Sequence, residues 1–157
     1  MLQTHLPAIK MRAGFWKRIL ASLALAGLVS ACRSEGPVNK SIAATVEKGP
    51  DTRLVLAEHT GFLWDRVCIL GPYTPDDKVD SLTGIQGAAG QAYDIRSNDG
   101  INVLVFVSDA RIVASVAHAR NRGDFGPEVV GKCYTREQAT FSVRVAPAKS
   151  WGNIGPG

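Results

Sequence analysis

Residues 101–118 read INVLVFVSDARIVASVAH. Two apolar runs, Ile101 to Val107 and Arg111 to His118, flank the turn-forming stretch Ser108-Asp109-Ala110, and this pattern predicts a β-hairpin. The first run is apolar on both of its alternating faces, so we expect that strand to be buried on both sides. The hairpin should therefore lie centrally, with a helix or a long loop over its second face. Its turn is imperfect, since Ala110 stands where a residue tolerant of positive φ is usual.

The sequence pattern also predicts further strands and a helix before and after the hairpin. Candidate strands run over Arg53 to Glu58, Arg66 to Gly71 and Thr140 to Ala146. A helix is expected to begin with Thr74 as N-cap, Pro75 at its first position and Asp76 and Asp77 in its first turn, and to end at Gly84. The fold class predicted is α+β, with a small antiparallel sheet of four to five strands and one or two helices.

Composition divides the chain into four segments. Residues 1–31 have the layout of a cleaved signal peptide. Residues 32–51, with Gly36, Pro37, Gly49 and Pro50, are typical of a flexible tether, with room for one helical turn near Ser41 to Lys48. Residues 52–146 are predicted to form the globular α+β domain. Residues 147–157 are predicted to be a flexible tail.

The leader resembles that of bacterial prolipoproteins. Its basic residues are Lys10, Arg12, Lys17 and Arg18, an apolar run follows from Ile19 to Val29, and the stretch ends in Val29-Ser30-Ala31-Cys32. This stretch resembles a lipobox, which implies cleavage before Cys32 and lipidation of its thiol. Val29 and Ala31 also satisfy the small-x-small rule of ordinary signal peptidase, which is the alternative type of cleavage. A transmembrane helix is the alternative, but the run is shorter than the roughly 20 residues that a span needs. Because Arg33 and Ser34 follow the cysteine, the resemblance favours the periplasmic face of the outer membrane over the inner membrane.

Charge argues against a nucleic-acid partner. The chain contains 18 Lys and Arg against 14 Asp and Glu, a formal net charge of +4. Four of the basic residues lie in the leader, and 18 − 4 leaves 14, which balances the 14 acidic residues, all of them after Arg33. The predicted mature protein is therefore neutral overall, without the charge excess expected for binding to phosphate backbones.

The cysteines predict a disulfide. Of three cysteines, lipidation of Cys32 would leave Cys68 and Cys133, and an even pair in an exported protein favours a disulfide. Two buried thiols and a metal site are the alternatives, but neither cysteine lies in CxxC spacing. Strand alternation also predicts that Trp64 shares a face with Cys68.

Candidate chemistry in the predicted mature part is sparse. Asp76-Asp77-Lys78-Val79-Asp80 matches the letters of a DDxxD magnesium motif, but acids in a first helical turn are expected from the helix dipole alone. We expect no metal and no cofactor. A triad using His118 with Asp124 or a serine, or a site at His59, is the alternative that would make the protein a small periplasmic hydrolase.

The function expected is binding, not catalysis. Tyr73, Arg120, Arg122 and Phe125 are the predicted exposed contacts, since Arg and aromatic residues are enriched in interfaces. The stretch Trp64-Asp65-Arg66-Val67 with Pro72-Tyr73-Thr74 resembles uncharacterised small lipoproteins of Proteobacteria. We therefore expect a lipid-anchored accessory module of the envelope, such as an inhibitor or immunity protein, with a protein partner.

Overall fold

The computed structural model describes residues 36–144 and 152–157. The predicted signal peptide, the lipobox, Cys32, the first residues of the predicted tether and residues 147–151 of the predicted tail lie outside these residues. None of the helices in the described ranges is long and apolar enough to cross a bilayer.

The described part of the chain contains two α-helices and eight strands, which confirms the α+β class. The helices are α1 (Pro37–Glu47) and α2 (Asp76–Thr83). The strands are, in chain order, β1 (Arg53–Val55), β2 (Arg66–Leu70), β3 (Ile101–Ser108), β4 (Arg111–Ala119), β5 (Asp124–Phe125), β6 (Lys132–Thr135), β7 (Thr140–Arg144) and β8 (Asn153–Pro156).

The strands form two sheets, whereas the sequence predicted one. The central sheet has the order β4-β3-β2-β6, and the outer sheet has the order β1-β7-β8-β5. The pairings of these strands are antiparallel apart from β5 with β8. A sheet with two apolar faces needs a cover on each face, and the outer sheet supplies one of them.

The predicted hairpin is confirmed. β3 and β4 pair from Ile101 opposite Ala119 to Ser108 opposite Arg111, with an irregularity next to Phe106. The turn residues Asp109 and Ala110 have φ angles of 47° and 58°, so Ala110 does adopt the left-handed conformation that alanine disfavours. Residues 102–107 of β3 are all buried.

Two apolar clusters lie on opposite faces of β3. Leu104 and Phe106 belong to a cluster with side chains of the outer sheet and α1, including Phe141 and Ile42. Val103, Val105 and Val107 belong to a second cluster under α2 and two short 3-10 helices, Ala88–Gln91 and Ile95–Ser97. The prediction that a helix or loop covers the second face is confirmed, and the segment that does so is called the covering layer below.

Helix α1 corrects the prediction of a tether over residues 32–51. Gly36 is the N-cap and Pro37 stands in the first turn, so the helix starts where a linker was expected. Val38, Ile42 and Thr45 are buried, and their spacing puts them on one helical face. That face joins the core, and residues 37–47 are therefore part of the folded domain.

Strand β8 corrects part of the predicted tail. It pairs with β7 on one side and with β5 on the other, and Ile154 is fully buried. Strand pairing on both sides overrides the turn-like composition of residues 153–156.

Helix α2 begins one residue later than predicted. Pro75 is the N-cap, and the Thr74 hydroxyl donates to the carbonyl of Gly71 at 2.7 Å instead of capping the helix. Gly84 ends the helix as predicted, with φ 68° and its N–H bonded to the carbonyl of Asp80 at 2.9 Å. The strand predicted over Arg53 to Glu58 is shorter, since Leu56–Glu58 forms a 3-10 helix.

Candidate functional site

The predicted disulfide between Cys68 and Cys133 is confirmed, with an S–S distance of 2.02 Å. The two cysteines lie directly opposite each other on β2 and β6. The bond therefore holds the edge strand β6 to the middle of the central sheet. The carbonyl of Leu82, in the last turn of α2, lies 3.2 Å from Cys133 Sγ, so the disulfide also contacts the covering layer.

Trp64 does not lie beside the disulfide, and that prediction is wrong. Its ring packs edge-to-face on Phe106 with centroids 5.2 Å apart, in the cluster on the other side of the sheet. Because β2 begins only at Arg66, the alternation of strand faces does not extend back to Trp64. The guanidinium of Arg136 lies 5.1 Å from the Trp64 ring centroid.

Arg120 is held by the fold. Its Nε and Nη2 donate to the two carboxylate oxygens of Asp124 at 2.7 Å each, and its Nη1 donates to the carbonyl of Asp99 at 2.7 Å. The hydrogen bond with Asp124 raises the pKa of Arg120 above its ordinary value. Arg120 thus fastens the connection between β4 and β5 to the loop before β3, and these donors already have acceptors within the protein.

The other predicted contact residues differ in exposure. Tyr73 is 61% exposed and lies near enough to Arg120 to raise the pKa of Arg120 further. Arg122 is exposed and lies 3.8 Å from the Glu47 carboxylate. Phe125 is only 3% exposed. The prediction of Phe125 as a surface contact is wrong, because its ring packs edge-to-face on Phe141 in the core.

The histidines of the hydrolase hypothesis differ in exposure. His118 is 1% exposed, and its Nδ1 lies 3.2 Å from Asn39 Oδ1. The amide of Asn39 donates to the carbonyl of Ala117 at 2.8 Å, so this contact ties α1 to β4. His59 follows the 3-10 helix Leu56–Glu58 and is half-buried. A substrate could reach His118 only after the elements packed over it had moved.

The acidic residues of the DDxxD stretch have structural contacts. The Asp80 carboxylate accepts the N–H groups of Gly87 and Ala89, at 2.8 and 3.1 Å. Asp76 forms an exposed ion pair with Arg96 at 3.2 Å. Across residues 36–144 and 152–157, no group of three or more His, Cys, Asp or Glu side chains is placed to hold a metal ion.

Tyr93 is a candidate site residue that the sequence analysis missed. It is 46% exposed, its φ is 53°, and its hydroxyl donates to the carbonyl of Ser115 at 3.0 Å. Together with Gly90, Gln91 and Ser115 it lines a surface groove of about 330 Å³. The one sequence signal was an aromatic residue after a glycine-rich loop, and its backbone conformation could not be read from that signal.

No protein-family model, no curated protein and no solved structure matches this chain.

Proposed function

We propose that this protein is a lipid-anchored module of the bacterial envelope that binds another protein through the covering layer around Tyr73 and Tyr93. These two residues are called the tyrosine pair below. The observation that carries the proposal is that both are large, exposed aromatic residues held at positive φ, 60° for Tyr73 and 53° for Tyr93.

The conformation of the tyrosine pair is costly. A bulky residue in the left-handed region is an outlier, and strained backbone of this kind costs on the order of 1–3 kcal/mol per residue. Exposure adds a second cost, because the rings leave apolar surface in water. Tyrosine is enriched at the energetic centres of protein interfaces, and a partner that covers these rings would recover that apolar surface.

The fold holds the backbone of Tyr73 in place. The N–H of Tyr73 donates to the carbonyl of Ile95 at 2.9 Å. Ile95 is buried in the apolar cluster of the covering layer. A backbone that is fixed before binding loses less conformational entropy on association, which favours an interface role for Tyr73.

The envelope location rests on two supports. The leader resembles that of prolipoproteins and implies an anchor at Cys32, and the Cys68–Cys133 disulfide is typical of proteins in oxidising compartments. The outer membrane is the location favoured by Arg33. The roles that fit are an inhibitor or immunity protein and an accessory subunit of an envelope assembly. The hydrolase alternative, through His118 or His59, gains no support from the burial of His118.

The anchor is tested by the intact mass of the N-terminal peptide of the protein taken from envelope membranes, beside a Cys32→Ser variant. The expected result is a peptide that starts at Cys32 with added acyl mass in the parent protein and no such peptide in the variant. A peptide that starts elsewhere, or that carries no acyl mass, would refute the anchor.

The binding surface is tested by photo-crosslinking in cells, with a crosslinking amino acid placed at position 73, 93 or 63 of the full chain. Leu63 is the matched control, since it is 84% exposed and lies in the loop before β2, outside the covering layer. The same partner should be captured from positions 73 and 93 and not from position 63. Capture at all three positions, or at none, would contradict the proposed surface. An inhibitor would lower the activity of that partner, whereas an accessory subunit would copurify with an envelope assembly.

A further inference from the structure

We infer that the outer edge of β4 accepts an extended strand of the partner protein, and that Tyr93 covers this edge until the strand binds. The inference rests on the proposed binding function and adds the chemistry of recognition. The partner contributes backbone hydrogen-bonding groups to the central sheet and one uncharged side chain to the groove beside Tyr93.

Strand β4 is nine residues long and, within the described part of the chain, forms an edge of the central sheet, with β3 as its neighbour. Another chain can add a strand where such an edge is regular. The regular part of β4 begins at Ala114, after the register irregularity. The side chain of Val113, next to the register irregularity, is 44% exposed.

The backbone N–H and carbonyl groups of Ala117 and Ser115 point away from β3. The N–H of Arg120 donates to the carbonyl of Gly100, so Ile101 and Ala119 form a pair without direct hydrogen bonds. Alternation from that pair directs the N–H and carbonyl of Ala117 and Ser115 away from β3. Two side-chain contacts agree, because the carbonyls of Ala117 and Ser115 both accept from groups outside the sheet.

The hydrogen bonds to the carbonyls of Ala117 and Ser115 differ in burial. Asn39 bonds to Ala117 from α1, whose inner face is buried, and this contact is half-buried. Tyr93 bonds to Ser115 through an exposed contact made by a residue at positive φ. The cover at Ala117 is therefore part of the core packing, whereas the cover at Ser115 can be displaced at little cost. The accessible edge lies on the Ser115 side and ends at Ala117.

The outward backbone groups of β4 and the lining of the adjoining groove define the chemistry of the occupant. Only an extended backbone offers donors and acceptors at the spacing of the outward groups of a strand. The described lining of the adjoining groove, Gly90, Gln91, Tyr93 and Ser115, carries no charged side chain. This lining fits an uncharged side chain, which would contact the Tyr93 ring and the polar groups of Gln91 and Ser115.

The test uses the full chain and random linear peptides displayed on phage. Ser115→Pro removes the outward N–H but leaves the bonds between β3 and β4, since proline is tolerated where an edge N–H faces solvent. Ser115→Ala is the matched control, because it keeps that N–H, and the Ser115 hydroxyl has no hydrogen-bond partner among the described residues. Val113→Lys is a second variant, which puts a charge on the edge without proline.

Strand addition predicts that selected peptides slow the hydrogen exchange of the Ser115 amide. Binding should weaken by about tenfold or more in Ser115→Pro and in Val113→Lys, and by much less in Ser115→Ala, which changes the groove lining but keeps the edge N–H. Tyr93→Phe, which loses only the hydroxyl that covers the carbonyl, should bind more tightly than the parent protein.

Three outcomes would overturn the inference. The first is that no peptide is selected, and the second is that peptides bind without protecting Ser115 or equally well in Ser115→Pro. The third is concentration-dependent protection of Ser115 without peptide, which would make a second copy of this chain the occupant. Failure here with intact crosslinking at positions 73 and 93 would leave the proposed function standing, whereas loss of that crosslinking would remove the proposed function itself.

Discussion

The guanidinium of Arg120 and the carboxylate of Asp124 form a bidentate ion pair, with Nε–Oδ1 and Nη2–Oδ2 distances of 2.7 Å each. The Asp124 side chain is 8% exposed and that of Arg120 is 26% exposed. A third donor of Arg120 reaches the carbonyl of Asp99. One side chain therefore connects the loop before β3 to the start of β5 and links the central sheet with the outer sheet.

Arg120→Gln should destabilise the protein by about 2–3 kcal/mol, because it removes the two charge-assisted hydrogen bonds from Arg120 to the mostly buried carboxylate of Asp124. Urea unfolding measures this loss. The matched control is Arg96→Gln, which breaks the exposed pair with Asp76 and should cost less than about 1 kcal/mol. Equal losses in the two variants would show that the burial of Asp124 contributes nothing.

Ile42→Ala should cost about 2–4 kcal/mol, since Ile42 is fully buried in the core cluster. A flexible tether would be insensitive to this change. Lys40→Ala, exposed on the same helix, is the control and should change the free energy of unfolding by less than about 0.5 kcal/mol. If Ile42→Ala behaves like Lys40→Ala in urea, α1 does not pack as described.

Replacing Cys68 and Cys133 together by alanine should remove about 4 kcal/mol of stability, given their sequence separation of 65 residues. The measurement is unfolding by guanidinium on a Cys32→Ser background, so that no other thiol is present. A reductant should destabilise the parent protein by a similar amount and leave the double variant unchanged. A reductant effect on the double variant would point to a cause other than this bond.

Ala110→Gly should stabilise the protein by about 0.5–1 kcal/mol, because the φ of Ala110 is 58° and glycine accepts that conformation without steric cost. The opposite sign is expected for Ala114→Gly within β4, where glycine weakens a strand. Thermal unfolding of the two variants provides the comparison. A destabilised Ala110→Gly would mean that the turn relaxes to another conformation.

The hairpin and the disulfide could be predicted because their signals are local or follow from a count. Two apolar runs around a short turn specify β3 and β4, and an even number of remaining cysteines specifies one bond. Helix α1 also had a signal, since Val38, Ile42 and Thr45 follow helical spacing. Its flanking glycines and prolines are equally typical of a linker, and only packing against the core distinguishes the two.

Strand β8 and the tyrosine pair were beyond sequence reasoning for physical reasons. Asn153-Ile-Gly-Pro156 has the composition of a turn and becomes a strand only because β5 and β7 pair with it from both sides. The exposure of Tyr93 and its contact with Ser115 depend on how a loop folds over an edge 22 residues away in the chain. Phe125 was misplaced for a similar reason, since its burial depends on Phe141 in another strand.

Tyr134 makes stability sensitive to high pH. Its half-buried hydroxyl donates to the carbonyl of Val129 at 3.1 Å, and burial, with a smaller contribution from the charge of Glu128, raises its pKa above the ordinary value. The stability that depends on this proton is therefore complete below the unfolded-state pKa of about 10. It is lost as pH rises through the higher pKa of the folded state, because the unfolded chain releases the proton first.

Tyr134→Phe should therefore flatten the fall in unfolding free energy above about pH 10. At neutral pH it should cost only about 1 kcal/mol, for the lost hydrogen bond to Val129. Urea unfolding of the parent protein and the variant at several alkaline pH values measures both effects. An unchanged slope in the variant would assign the alkaline sensitivity to other groups, and a loss at neutral pH far above 1 kcal/mol would mean that the hydroxyl supports more than the one contact with Val129.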